Sequence, residues 1–118
     1  MPYLDGFLVP VPKKKVEAYK RLARKAGKIW KEYGAIEFRE CVADDVKKGK
    51  WTSFPRSVKL KPGETVFFSY IVYKSRADRD RINAKVMKDL RFAGMDMKDM
   101  PFDGKRMIFG GFKVMVDA

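Results

Sequence analysis

The sequence predicts an α+β domain of the ferredoxin-like type, a split βαβ sandwich in which two βαβ units share one sheet. The main observation is the order of the predicted elements: strand, helix, strand, long loop, strand, helix, strand. The length of 118 residues suits one domain and is too short for two, so residues 1–118 are expected to fold as one unit. A hydrophobic fraction of 46% provides material for a core.

The first βαβ unit is predicted from three consecutive segments. Residues 3–11 are rich in apolar, β-branched and aromatic side chains, which is typical of a strand. Residues 13–33 repeat apolar side chains at helical spacing, and Gly34 follows where a left-handed C-cap is expected. Residues 35–42 alternate between apolar and polar side chains, which predicts a strand with two different faces.

The second unit follows a polar loop at residues 43–63, which has room for a short helix or an extra strand. The nearly continuous apolar run at 64–73 predicts a central strand covered on both faces. The pattern at residues 75–78 is a capping box and predicts the start of the second helix. Residues 105–116 are predicted to form the last strand. The apolar stripe of the second helix is expected to contain Ile82, Val86, Met87 and Leu90.

Both helices of such a domain cover the same sheet face, because the two crossovers have the same hand. The other face is then left bare, and in the predicted register it is mainly apolar and aromatic. A monomer rarely exposes so large an apolar patch, so we expect a second copy to cover it and the two sheets to close into a dimeric α+β barrel. The candidate pocket in this barrel comprises Asp5, Glu37, Arg39, Ser69, Tyr70 and Arg106.

Two interpretations of these polar residues remain open. In the favoured one, Arg39 and Arg106 pair with Asp5 and Glu37 and steady the interface, because buried charges need partners. In the other, they line a pocket for a small organic molecule. Asp5, Glu37 or Tyr70 would then transfer a proton, and an arginine would stabilise an anionic group.

The charge of the chain suggests an alternative function. There are 27 Lys and Arg against 15 Asp and Glu, a formal net charge of +12, and the first helix carries much of this excess. Such a surface attracts polyanions, so a nucleic acid is a possible partner, although a solvated basic face is the favoured explanation. The candidate polyanion-binding residues are Lys20, Arg24, Lys28 and Lys31.

The composition also excludes several kinds of chemistry. The chain has no histidine, which rules out Ser-His-Asp catalysis and Cys/His zinc sites. Cys41 is the single cysteine, so no internal disulfide can form. No metal site is predicted and no cofactor is indicated. The N-terminal cations follow the apolar stretch, the reverse of a secretory signal, so a cytoplasmic protein without a membrane partner is expected.

Three blocks of sequence resemble the bacterial YbaA-like family, which has no known function. They are YLDGF at residues 3–7, EYGA at 32–35 leading into REC at 39–41, and MPFDGKRM at 100–107 followed by GGF at 110–112. The resemblance extends over essentially the whole chain. It implies the dimeric α+β barrel superfamily, whose members include cofactor-free monooxygenases, haem enzymes and small-molecule-binding proteins. The family brings no established catalytic residues.

Overall fold

A computed structural model describes residues 1–118, apart from the side chain of Met97. The strands are β1 (Tyr3–Pro12), β2 (Glu37–Val42), β3 (Glu64–Tyr73) and β4 (Ile108–Lys113). The helices are α1 (Val16–Glu32), α2 (Phe54–Ser57) and α3 (Arg76–Met87). One sheet has the strand order β2-β3-β1-β4 with every neighbouring pair antiparallel. This is the strand order of a ferredoxin-like fold, and it confirms the predicted α+β class.

The helix boundaries follow local capping. The Ser75 hydroxyl accepts a hydrogen bond from the backbone N–H of Asp78, so α3 begins where the capping box predicts. Gly34 has a φ of +118° just beyond α1, a backbone conformation that favours glycine. The predicted apolar stripe of α3 is only partly right. Ile82 and Val86 are buried, whereas Met87 is exposed, and Leu90 is exposed in a 3₁₀ turn beyond the helix.

The strand register decides which side chains lie beneath the helices. Asp5 pairs with Ile71 across β1 and β3, and Ser69 pairs with Glu40 across β3 and β2. These positions face the helices, because Asp5 contacts Arg79 of α3. The opposite surface is called the open face. It carries Leu4, Leu8, Glu37, Arg39, Phe68, Tyr70, Val72, Ile108 and Phe112.

The predicted register is therefore right for β2 and wrong for β1 and β3. Glu37 and Arg39 lie on the face away from the helices, as expected, but Asp5 and Ser69 lie beneath them. The apolar run of β3 does not alternate, so its sequence contains no information on phase. On β1, the predicted register places Asp5 on the face away from the helices by matching it to Glu37 and Arg39, whereas its partners are on α3.

The core beneath the helices is divided into two clusters instead of one continuous layer. One lies between the C-terminal half of α1 and α3 and is centred on Tyr73 and Ile82. The other lies beneath the N-terminal half of α1 and is centred on Tyr19 and Phe67. Phe7 packs against both clusters, so it marks the boundary between them. None of the helices in the described chain combines the length and the apolarity needed to cross a membrane.

Candidate functional site

A cavity of about 460 Å³ lies between the helix-covered face of the sheet and the helices, and we call it the helix-side cavity. Residues of both core clusters line it, and the connection after α3 forms a further wall. In that connection, Phe92 packs edge-on against Trp30, and Phe102 packs edge-on against Tyr19. The walls are mostly apolar and aromatic, and the volume is within the usual range for small-molecule sites.

The first polar group of the cavity wall is centred on Asp5, which is only 7% exposed. The Arg79 guanidinium donates to it, with Nη2 at 3.0 Å from Oδ1 and Nε at 3.1 Å from the same oxygen. The Tyr73 hydroxyl donates to Oδ2 at 3.2 Å and accepts from the indole N–H of Trp30. Asn83 joins the same network. Arg79 thus balances the negative charge of Asp5, and both carboxylate oxygens accept hydrogen bonds. Burial raises the pKa of the Tyr73 hydroxyl.

The second polar group is centred on Glu40, where β2 passes beneath α1. The Tyr19 hydroxyl donates to Oε1 at 2.8 Å, and the Ser69 hydroxyl donates to the same oxygen at 2.6 Å. Within the described part of the chain, Oε2 accepts no hydrogen bond and no cation forms an ion pair with Glu40. Burial raises the pKa of Glu40 above its ordinary value of 4.5. Glu40 is therefore the carboxyl of this cavity best suited to accept a proton or a donor group from a ligand.

Four of the six residues predicted for the pocket border this cavity: Asp5, Arg39, Ser69 and Tyr70. By register, Arg39 and Tyr70 belong to the open face, so the cavity does not gather the predicted set on a single surface. Glu37 lies on the open face, where Arg39 Nη2 is 3.2 Å from Glu37 Oε1, as the sequence suggested. This pair is largely exposed to solvent.

Arg106 is not part of the pocket. Its guanidinium is 2.6 Å from Glu64 and 2.8 Å from Asp103, and it also donates to the carbonyl oxygens of Val58 and Lys59 just after α2. The expected pairing with Asp5 or Glu37 is wrong, because residues 103–106 form a turn at the end of the sheet where β3 begins. Hydrogen bonds from Arg106 lower the pKa of Glu64. Arg106 thus ties α2 to the sheet.

The four predicted polyanion-binding residues lie together. Lys20, Arg24, Lys28 and Lys31 all line a groove of about 620 Å³ between α1 and β2, which we call the β2 groove. Its wall also includes Glu40, so that residue borders both the groove and the helix-side cavity. Among the described residues, no group of three or more Asp, Glu or Cys side chains could hold a metal ion.

A family model described as a protein of unknown function, DUF1428, matches residues 2–104. The chain belongs to the DUF1428 family. Its relatives include the uncharacterized protein YbaA of Escherichia coli strain K12, which is 48% identical over 117 residues and is matched over 99% of both chains. The YbaA of Shigella flexneri is similar to the same extent. These relatives confirm the resemblance to the YbaA-like family.

A solved structure supports the fold of this DUF1428 chain. A crystallised dimeric ferredoxin-like protein from an uncultured marine organism superposes with a TM-score of 0.54 at 13% identity, covering 98% of this chain and 96% of its own. At this level of identity the likeness concerns the fold alone. It agrees with the strand order described above.

Sequence reasoning missed most polar residues of the helix-side cavity. Glu40 could have been found, because it is a carboxylate on the otherwise apolar face of an alternating strand. Tyr19 stands in the apolar stripe of α1 and gave no indication that its hydroxyl meets Glu40. Arg79 and Asn83 lie among the many polar residues of α3, so only the packing of α3 on β1 identifies them.

Proposed function

We propose that this protein binds a small, predominantly apolar organic molecule in the helix-side cavity. The observation that carries the proposal is a space of about 460 Å³ whose apolar walls hold two separate polar groups, at Asp5 and at Glu40. A cavity of this size with convergent polar groups is typical of a ligand site.

The two polar groups suit different tasks. Arg79 balances the charge of Asp5, and Tyr73 and Asn83 complete its hydrogen bonds, so this group has a fixed geometry and forms a rigid part of the cavity wall. Glu40 has one oxygen engaged and the other without a donor among the described residues. A ligand hydroxyl, amine or acidic C–H group would meet an available acceptor there. If the protein turns its ligand over, Glu40 is the group that would exchange the proton.

Fluorescence titration with N-phenyl-1-naphthylamine, a neutral and largely apolar aromatic amine, tests this proposal. We expect saturable binding with enhanced emission. Ala26 lies on α1 at the cavity wall, so Ala26→Phe should fill the cavity and abolish binding. Ala84→Phe adds the same ring to an exposed position of α3 and should leave binding unchanged. Ala26→Leu provides a milder change, and circular dichroism verifies that each variant is folded. If the folded Ala26→Phe and Ala84→Phe variants bound the probe equally well, the helix-side cavity would be ruled out as its binding site.

We also propose that a second copy of the chain covers the open face. Phe68 and Phe112 are 47% and 61% exposed there, and Ile108 and Tyr70 extend the same apolar surface. Contiguous patches of this kind mark interaction sites in soluble proteins. The ferredoxin-like structure of similar fold is itself dimeric, which supports pairing.

Sedimentation velocity at micromolar concentration tests the dimer. A dimer is expected for the unmodified chain and a monomer for Phe112→Asp, because a carboxylate cannot be buried at the centre of an apolar interface without a partner. Met115→Asp places the same charge on an exposed residue beyond β4 and should remain dimeric. A monomeric unmodified chain would contradict the proposal.

A further inference from the structure

The free edge of β2 lies beside a row of cations. β2 is the first strand in the order β2-β3-β1-β4, so β3 occupies one of its sides and no strand pairs with the other in the described sheet. The Ala43 N–H donates to the Val66 carbonyl, which fixes the phase of the ladder. Because inward and outward backbone groups alternate along an antiparallel strand, Phe38, Glu40 and Val42 direct theirs outward. A free edge of this kind can pair with another chain.

The cations of α1 have a spacing that matches an extended chain. Lys20, Arg24 and Lys28 recur every four residues, which corresponds to a rise of about 6 Å per step. Every second residue of a β-strand recurs at about 6.6–6.8 Å. A strand laid along β2 would therefore present alternate side chains to successive cations. Lys31 continues the row, and its Nζ donates to the carbonyl of Ile36, the residue before β2.

We propose that the β2 groove docks an extended acidic peptide, which adds a strand to β2 and directs every second side chain, a carboxylate, toward α1. Charge complementarity carries the choice of partner. The net charge of the chain is +12, and no ion pair of the described side chains involves Arg24 or Lys28. The groove also holds two carboxylates: Glu17 pairs with Lys20, and one oxygen of Glu40 accepts from Tyr19 and Ser69.

A peptide uses more of this surface than a nucleic acid does. Phosphates would meet the cations but would leave the outward N–H and C=O groups of β2 in water. A peptide strand satisfies both, because main-chain hydrogen bonds supply affinity and side chains supply specificity. The groove also presents a free sheet edge, to which extended peptides add as an extra strand. This inference is independent of any ligand in the helix-side cavity.

The test uses the full-length protein and a capped hexapeptide that alternates glutamate and valine. We expect binding that weakens with salt, and slowed hydrogen exchange at the amides of Phe38, Glu40 and Val42. The same peptide with N-methyl groups on alternate residues keeps its charge but cannot pair as a strand. It should bind at least tenfold more weakly. Equal affinity of the two peptides would overturn strand addition.

Charge-reversal variants test the role of the cations. Arg24→Glu with Lys28→Glu should weaken peptide binding by roughly tenfold or more, because two attractions become repulsions. Arg21→Glu with Lys25→Glu makes the same change on the solvent-exposed side of α1, outside the groove, and should alter affinity less than twofold. Equal losses in both variants would show a diffuse charge effect. Tighter binding of a twelve-residue oligothymidine to the unmodified chain, lost in the first variant alone, would assign the groove to nucleic acid instead. Either result contradicts the proposal.

Discussion

Replacing Arg79 by methionine should strongly destabilise the fold, because it removes the cation from a buried carboxylate. Asp5 is 7% exposed, and Arg79 makes three contacts of 3.0–3.2 Å with its two oxygens. Removing one partner of a buried ion pair costs about 3–5 kcal/mol. The outer part of Arg79 reaches solvent, which favours a loss near 3 kcal/mol. Part of this loss comes from the cation–π contact that the guanidinium makes with the Tyr3 ring, whose centroid is 5.1 Å away.

Urea unfolding followed by circular dichroism measures this loss at pH 7. With a slope of about 1–3 kcal/mol per molar urea, the midpoint should fall by roughly 1–3 M. Arg39→Met is the matched control, because its ion pair with Glu37 is largely exposed and contributes about 0–1 kcal/mol. Combining Arg79→Met with Asp5→Asn should recover most of the loss, since no buried charge is then left unpaired.

The reasoning would be refuted if Arg79→Met cost no more than Arg39→Met, or if the double variant were less stable than Arg79→Met alone. The first outcome would mean that Asp5 is well solvated in the folded protein. The second would mean that the carboxylate contributes through Tyr73 and Asn83 and not through its charge.

Three further predictions concern single side chains. Burial raises the pKa of Glu40, so its ionisation lowers stability as the pH rises above 4.5. In urea unfolding, the free energy of unfolding of Glu40→Gln should therefore rise relative to that of the unmodified chain as the pH increases from 4 to 7. A difference that does not change with pH would contradict this. Hydrogen bonds from Arg106 lower the pKa of Glu64, so their contribution is complete above pH 4.5 and is lost as the pH falls through the lowered value. Glu64→Gln should lessen the loss of stability in acid, and an unchanged acid transition would argue against it. A Cβ at Gly27 would lie 2.7 Å from Cδ1 of Phe38. Gly27→Ala should therefore lower the stability by about 1–2 kcal/mol, although alanine has the better helix propensity. Phe38→Leu should relieve that cost in thermal melts, and a more stable Gly27→Ala variant would disprove the close contact.

The element order and most boundaries could be predicted from sequence, because periodicity and capping are local properties. The capping box at Ser75 and the C-terminal position of Gly34 each fixed one helix end. The alternation of β2 correctly assigned Glu37 and Arg39 to the open face. These predictions succeeded because each depends on a few neighbouring residues.

The site was harder to predict because it depends on the phase of strands and on distant partners. Nothing along β1 shows that Asp5 turns toward Arg79, which lies more than seventy residues away in the chain. The same holds for Tyr19 and Glu40, which meet only when α1 crosses β2. The sequence therefore predicted a pocket on the face away from the helices, whereas the cavity in the structure lies beneath the helices.

The most direct test of a ligand site beneath the helices is the position of a bound probe. Intermolecular NOEs can be measured between N-phenyl-1-naphthylamine and the assigned methyl groups of methionine and isoleucine. We predict contacts to Met100, Met107 and Ile71, which line the helix-side cavity. We predict none to Ile108 on the open face or to Met115, which is 89% exposed. NOEs confined to Ile108 or Met115 would contradict the proposed site.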